Sequence, residues 1–523
     1  MVHRSVRRVA AAVMVPVLLL TGCAPTMQHR LHAPQRLTGG ELARSPYLQL
    51  HMRDGSFVRL EPWTLDVTGT RVEGTGVRLD RERVEVARGM LTMPVDSVVL
   101  CEATTAEGMS PALKAVTIVL VAAAAFVVLS LVAFAIACAS NPKCFGSCPT
   151  FYVTDGRDPL LQAEGFSSSI APSLEATDLD ALWRARPRGR TLEVEMRNEA
   201  LETHVVRSVR LLAARRPPGG RVVATGRGEL WRALSLVPPV RATAAEGDVA
   251  RPLAVVDGIE RVSEPDSSDL GARETIELEY PPAPGPLGLV VASRQTLLTT
   301  YLFYETLAAM GPSAGAMLAS LERREPGALD RATSLGRALG GLEVQVPGED
   351  GAWRTVETVS ETGPLATDVK LVRLPGSPTG PVRVRLRAAR GLLRLDAALL
   401  ARLGDRVEPV RLEPVEVRRG AVRDEAARRA LLDDSRTVIT GPGDNYTLRY
   451  DLPGDASRYE LFLESRGYYL EWMREAWVKS DDPARLATLI LRPERALREL
   501  APAYARERAG VEEWFWKSRY VHP

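Results

Sequence analysis

From Ala115 to Cys138 the chain runs through 24 residues without a charge, and Thr117 and Ser130 carry the only hydroxyls in that run. Such a segment must either be buried whole in protein or lie in lipid as a helix, the one local structure that satisfies every backbone N–H and C=O from within itself. At about 1.5 Å of rise per residue it extends roughly 36 Å, enough to cross a bilayer with some tilt. A transmembrane helix over residues 112–140 is therefore expected. Its alanines, Ala122 to Ala125 among them, lower its hydrophobicity and leave an Ala-rich core helix as the other reading. Flanking charge, Lys114 before it and Lys143 and Arg157 after it, leans slightly toward a cytoplasmic C-terminal side.

The N-terminus carries a second apolar signal. A basic stretch (His3, Arg4, Arg7, Arg8) precedes apolar residues from Val9 to Leu20, then Leu20-Thr21-Gly22-Cys23. That order matches a signal peptide over residues 1–22, too short in its apolar core for a membrane span. The last four residues resemble the lipobox of bacterial lipoproteins, a resemblance that implies lipidation of Cys23 and attachment to the cell envelope. Ala24 after the cysteine, by the same resemblance, permits export to the outer membrane. Lipidation requires Cys23 to leave the cytoplasm. If 115–138 then stops transfer, residues 144–523 face the cytoplasm; if it does not cross, the whole body is periplasmic. Besides Cys23 the chain has Cys101, Cys138, Cys144 and Cys148. Cys144 and Cys148 are a candidate disulfide pair in an oxidising compartment, with free thiols and a metal or redox site as the other readings.

Composition argues for folded domains and against a nucleic-acid partner. Hydrophobic residues are 45% and charged residues 25%, and 67 basic residues face 65 acidic ones for a formal charge of +2. Loss of Arg4, Arg7 and Arg8 with the signal peptide takes that to about −1. Only five of the basic residues are lysine: Lys114, Lys143, Lys370, Lys479 and Lys517.

Outside the two apolar segments, period-2 alternation dominates, so the expected class is α+β and β-rich. Residues 23–43, polar with Pro and Gly, read as a lipid-anchored tether. Residues 44–106 read as a small β module with turns at Asp54-Gly55 and Glu73-Gly74. A β-rich domain follows over 144–293, with strands at Leu192–Met196, near Val205–Val209, at Val222–Ala224 and at Ile276–Tyr280, and with loop from Arg241 to Arg273. The period changes to helical over 294–341. Alternation returns over 342–420 (Val344, Val346, Trp353, Val356, Val382, Val384, Leu386), a pattern similar to galactose-binding-like jelly rolls, so a sandwich-like domain is expected there. Its Arg383, Arg385 and Arg387 share one face and read as a solubilising row. Residues 421–523 read as an α+β C-terminal region: a helix over 421–433, strands at Tyr446–Tyr450 and Tyr459–Leu463, and a helical tail from Tyr468 to Tyr520 with Trp472, Trp477, Trp514 and Trp516.

Candidate chemistry is sparse. Gly311-Pro312-Ser313-Ala314-Gly315 fits G-x-S-x-G, yet a nucleophile elbow needs a strand before it, and the later histidine it requires is only His522. A helix-to-helix turn is the expectation. His204 with Glu199 and Glu202 offers one imidazole and two carboxylates, but alternation puts Glu199 on the face opposite His204, so a surface or partly satisfied histidine is expected. Asp155, Asp158, Asp178 and Asp180 lack the spacing of a calcium loop and read as turn and cap residues. Gly219-Gly220 and Gly340-Gly341 lack the Lys-Ser/Thr of a phosphate cradle. No catalytic, metal or cofactor residue is assigned.

The block Cys144-Phe145-Gly146-Ser147-Cys148-Pro149-Thr150-Phe151-Tyr152, with Asp155-Gly156, Asn198-Glu199-Ala200-Leu201-Glu202-Thr203-His204 and Gly467-Tyr468-Tyr469-Leu470-Glu471-Trp472, resembles a group of bacterial envelope proteins. In these a lipobox, a small β module and an apolar helix precede the block. The resemblance covers most of residues 45–480 and implies a shared architecture; it supplies no catalytic residue. The expected function is a membrane-anchored envelope lipoprotein that binds or scaffolds without catalysis. Its partners would be the lipid bilayer and an envelope protein or glycan, and it needs no cofactor. The rival is a hydrolase of envelope polymers working through two carboxylates.

Overall fold

The computed structural model describes residues 26–32, 37, 42, 45, 48–52, 54, 56–66, 68–80, 85–107, 149–154, 159–170, 174–200, 202–311, 314, 335–359, 363–376, 380–471 and 482–517. Cys23, Cys138, Cys144, Cys148, the run from Ala115 to Cys138, Asp155, Asp158, Ser313, Trp472 and Trp477 lie outside these residues. Among the described residues no helix is long and apolar enough to cross a membrane. The chain is β-rich and forms two compact units, with strands 26–107 in one and 149–471 in the other.

The first unit is one antiparallel sheet in the order Thr26–His32, Val98–Glu107, Leu48–Met52, Phe57–Leu65, Arg71–Leu79, Glu85–Pro94. Leu48, Leu50, Val58, Leu60, Val72 and Cys101 fill its core. Two expectations change here. Part of the tether is itself the strand Thr26–His32, because Val98–Glu107 offers it an open edge. Glu73-Gly74 is no turn. The chain reverses instead between Phe57–Leu65 and Arg71–Leu79, where Asp66 accepts the Thr70 and Arg71 N–H groups (2.7 and 3.0 Å). Gly74 sits mid-strand because a Cβ there would lie 2.4 Å from the Pro62 carbonyl, so close approach of backbones selects the glycine.

The described part of the second unit has four sheets. The first runs Val422–Arg423, Glu416–Arg419, Asn445–Asp451, Thr191–Arg197, Thr150–Thr154, Pro159–Glu164. The second runs Val410–Leu412, Glu202–Arg215, Tyr459–Glu471, Ala176–Ala181, with Val438–Thr440 also on Glu202–Arg215. In the third, Leu230–Val237, Arg221–Thr225, Asp368–Leu374, Leu287–Gln295 and Leu393–Val407 close on themselves, since the first and last also pair. The fourth runs Gly247–Asp248, Arg241–Ala244, Arg273–Tyr280, Val382–Ala389, Leu342–Pro347, Trp353–Val359.

Three shared cores join these sheets in series. Val194, Leu448, Val209 and Leu463 join the first sheet to the second. Phe462, Leu212, Val222, Val290 and Leu371 join the second to the third. Leu289, Val291, Ile276, Leu278 and Val384 join the third to the fourth. Leu287–Gln295 alternates between the last two cores and is buried on both faces, which explains its unbroken apolar run Leu289-Val290-Val291-Ala292.

The alternating strands expected over 342–420 are present, but they do not form a domain of their own. They are dealt among all four sheets, beside strands from 150–295 and 438–471. The physical reason is that alternation specifies which face of a strand is buried and says nothing of which strand lies beside it. The loop expected over 241–273 likewise contributes short strands, Arg241–Ala244, Gly247–Asp248 and Arg261–Val262. Leu298–Met310, Pro483–Leu491 and Pro493–Lys517 are helices that pack together through Leu298, Tyr301, Leu489 and Leu497. The helical tail thus begins later than expected. Tyr468 to Glu471 extend the strand Tyr459–Glu471, whose register against Glu202–Arg215 runs from Tyr459↔Arg215 to Glu471↔Glu202.

Candidate functional site

The segment 182–190 carries the chain from Ala176–Ala181 in the second sheet to Thr191–Arg197 in the first. Leu182 and Ala185 enter the core between these two sheets while Trp183 enters the next one, so the segment is pinned on both sides. The residues that follow, Arg186-Pro187-Arg188-Gly189-Arg190, form an exposed turn. Backbone bonds hold it in place: Arg186 N–H to Thr154 (3.0 Å), Thr191 N–H to Arg188 (3.1 Å), and Leu452 N–H to Arg190 (2.7 Å). Gly189 has φ of 63°, the left-handed conformation that closes the turn.

A groove lies on each side of Pro187. The larger, about 420 Å³, is lined by Arg186, Arg216, Arg221, Asp455, Ser457 and Tyr459 among others. The smaller, about 330 Å³, is lined by Tyr152, Thr154, Arg188, Glu193 and Glu195 among others. Beneath the larger groove Glu460 is 1% exposed and takes both neighbouring guanidinium groups: Arg221 Nε and Nη2 donate to its two oxygens (2.9 and 2.6 Å), and Arg216 Nη2 donates to Oε1 (3.1 Å). The Arg221 guanidinium also lies 3.5 Å from the Trp183 ring centroid and donates to the Trp183 carbonyl (3.2 Å). These contacts fix the forks before any ligand arrives. Asp455 at the rim accepts the Ser457 N–H (3.0 Å), and the Ser457 backbone and hydroxyl hold its carboxyl below the usual range. In the smaller groove both carboxylates are engaged, Glu195 by Arg197 and Glu193 by Arg418 (2.7 Å).

Two polar clusters lie inside the body. The sequence expectation placed Asp178 and Asp180 in turns or caps; both are in the strand Ala176–Ala181, and Asp180 is 4% exposed. They face Asp368 and Lys370 of the third sheet. Lys370 Nζ sits 2.9 Å from Asp368 Oδ2 and donates to the Leu179 carbonyl (2.7 Å). Asp180 Oδ2 is buried without a hydrogen-bond partner. Burial, then the charges of Asp178 and Asp368, push the Asp180 carboxyl well above its ordinary range. Burial also raises Asp368, against the opposing pull of Lys370. Lys370 is raised in spite of its burial, because three aspartates surround it, and so stays cationic. Neither groove is lined by this cluster.

The second cluster decides between the two readings of His204, surface or partly satisfied: its side chain is fully buried, so the surface reading falls. Its Nε2 is 3.1 Å from Glu202 Oε2, both side chains being 1% exposed. Glu199 does point elsewhere, accepting from Thr150 (2.8 Å) and Tyr152 (3.0 Å). Glu471, opposite Glu202 in the ladder, is met by the Tyr304 hydroxyl at 3.4 Å. Among the described residues no group of three or more His, Cys, Asp or Glu has the geometry to hold a metal ion. At Gly311-Pro312-Ser313 the preceding element is the helix Leu298–Met310, not the strand an elbow requires. The row Arg383, Arg385 and Arg387 is more than a solubilising face: Arg385 pairs with Glu277 (2.6 Å) and lies 4.2 Å from the Trp353 ring centroid, and Arg387 pairs with Glu343 (2.8 Å).

Sequence reasoning missed the groove because its residues come from four separate stretches, 182–190, 216, 221 and 455–461. The usable signal was local: four arginines, Arg184, Arg186, Arg188 and Arg190, alternate with Ala, Pro and Gly in seven residues. No family model matches the chain, and no curated protein matches it.

Proposed function

We propose that this protein is a lipid-anchored component of the bacterial envelope whose β body binds or scaffolds without catalysis. The observation that carries the reading is Leu20-Thr21-Gly22-Cys23 set behind a basic stretch and an apolar core. The envelope-protein resemblance supports it. In favour of binding over hydrolysis, the two carboxylates of the smaller groove are held by arginines, and Asp178, Asp180 and Asp368 face a neighbouring sheet rather than either groove. A glycosidase pair needs one carboxyl free to give a proton and one free to attack or to activate water, both within reach of the same bond. The partner is a molecule of the envelope or the membrane surface. Metabolic labelling with an alkyne fatty acid tests the anchor: the wild-type chain takes the label and Cys23→Ala does not. A Cys23→Ala protein still processed and still recovered in the detergent phase like wild type would remove the lipid claim. The side on which residues 144–523 lie is read by alkylating Cys144 and Cys148 in intact cells. Protection from an impermeant reagent fits a cytoplasmic body, and a disulfide trapped in acid places the body in the periplasm.

A further inference from the structure

We propose that the groove lined by Arg186, Arg216 and Arg221 is a binding site for a phosphate monoester. The inference deepens the binding role proposed above and rests on that reading. Its first support is charge. The chain as a whole is nearly neutral, with 67 basic against 65 acidic residues, and among the described residues most arginines sit in ion pairs such as those of Arg385 and Arg387. The turn beside the groove departs from this habit. Arg186, Arg188 and Arg190 are exposed, and none of them lies within ion-pair distance of a carboxylate among the described residues. Arg186 donates one bond, to the neighbouring Ala185 carbonyl (3.0 Å), and Arg190 one, to the Leu452 carbonyl (3.3 Å). A guanidinium has five N–H donors, so most of those of Arg186, which lines the groove, remain for a ligand.

The second support is preorganisation. Glu460 and Trp183 clamp Arg221, and Glu460 holds Arg216, so two of the three lining forks are already in place. One buried carboxylate shared by two arginines leaves a positive charge there, which Asp455 at the rim offsets and Arg186, the one arginine of the turn that lines this groove, restores. The third support is size: about 420 Å³ accommodates a small molecule or headgroup, not a folded segment. A phosphate monoester carries about −1.5 to −2 charge at pH 7 and three acceptor oxygens, which matches converging forks better than a monocarboxylate does. The same chemistry is presented by a free metabolite and by a lipid headgroup such as phosphatidic acid.

The test titrates the full-length protein, in neutral detergent, with glycerol 3-phosphate and with acetate by calorimetry. Saturable one-to-one binding of the phosphate, with acetate markedly weaker, is expected. Arg186→Gln, at an exposed residue whose one bond goes to its neighbour, should weaken binding about tenfold, and Arg385→Gln on the fourth sheet should leave it unchanged. Absence of saturable binding, or equal losses in the two variants, overturns the assignment. In vesicles of phosphatidylcholine the protein should still bind glycerol 3-phosphate. Loss of that binding when phosphatidic acid is added to the vesicles identifies the headgroup as the occupant, and its persistence identifies a free molecule. A protein that takes the lipid label at Cys23 yet binds no phosphate would sink this site and leave the anchored-binding role standing; binding without the label would do the reverse.

Discussion

Lys370–Asp368 between two sheets and Arg385–Glu277 on the outer face of the fourth sheet are alike as ion pairs, at 2.9 and 2.6 Å. Their surroundings are not alike. Lys370 and Asp368 are 14% and 4% exposed and share their space with Asp178 and Asp180, whereas Arg385 and Glu277 are 25% and 44% exposed on a ladder of alternating charges. At the surface, water screens the attraction and solvates either partner if the other leaves. In the interior, taking one partner away strands the other, because the protein has already removed the water that would have compensated it. Distance alone therefore does not rank these contacts; the medium around them does.

The largest effect expected from this contrast is at Lys370. Lys370→Met keeps the length and removes the cation that faces Asp178, Asp180 and Asp368, and should cost about 3–5 kcal/mol in denaturant unfolding of the full chain. A loss below about 1 kcal/mol would place this cluster in the surface class. Arg221→Lys is the intermediate case. Its bidentate hold on Glu460 and its stacking on Trp183 need a planar fork, so about 1–2 kcal/mol should be lost, read by the same unfolding measurement.

Asp180→Asn tests the sign. Burial and two neighbouring carboxylates raise the folded-state pKa of Asp180 above the ordinary 3.8, so the folded protein holds this proton more tightly than the unfolded chain does. Its contribution to stability is present in acid and is lost as pH climbs from about 3.8 toward the raised value. The variant should therefore be more stable than wild type at pH 7 and lose that advantage as the pH falls toward 4, as followed by thermal unfolding across the range. A variant less stable at pH 7 would mean the Asp180 charge is compensated there. The smallest effect belongs to Arg385→Ala, within about 1 kcal/mol of wild type and smaller still in high salt. A loss as large as that of Lys370→Met would break the comparison.

Part of this contrast is legible in the sequence alone. Lys370 stands out as one of five lysines among 67 basic residues. A compact, rotatable ammonium suits a site with acceptors on several sides, where a guanidinium fork would not fit. Asp178 and Asp180 are visible as an alternating pair, but acids at i and i+2 look the same whether that face meets water or another sheet. The turn arginines are visible as a run, yet nothing in the run says that Arg216, Arg221 and Glu460, far along the chain, complete the groove. His204 and Glu202 share a strand face in the sequence, while the residues beside them, Tyr469 and Thr440 next to His204 and Glu471 next to Glu202, come from two neighbouring strands far along the chain.

What the sequence by itself determined was local. Period-2 runs made strands at Leu192–Met196, Ile276–Tyr280, Leu342–Val346 and Val382–Leu386, and the helical period made Leu298–Met310. These follow from backbone geometry, which repeats over two or 3.6 residues and is written in neighbouring positions. The tertiary structure decided partnership: that strands of 342–420 are shared among four sheets, that Glu471 continues a strand rather than opening a helix, and that Asp180 meets Lys370. Partnership depends on which apolar faces cover one another across long stretches of chain. Many pairings satisfy the same alternation, and only the packed whole selects among them.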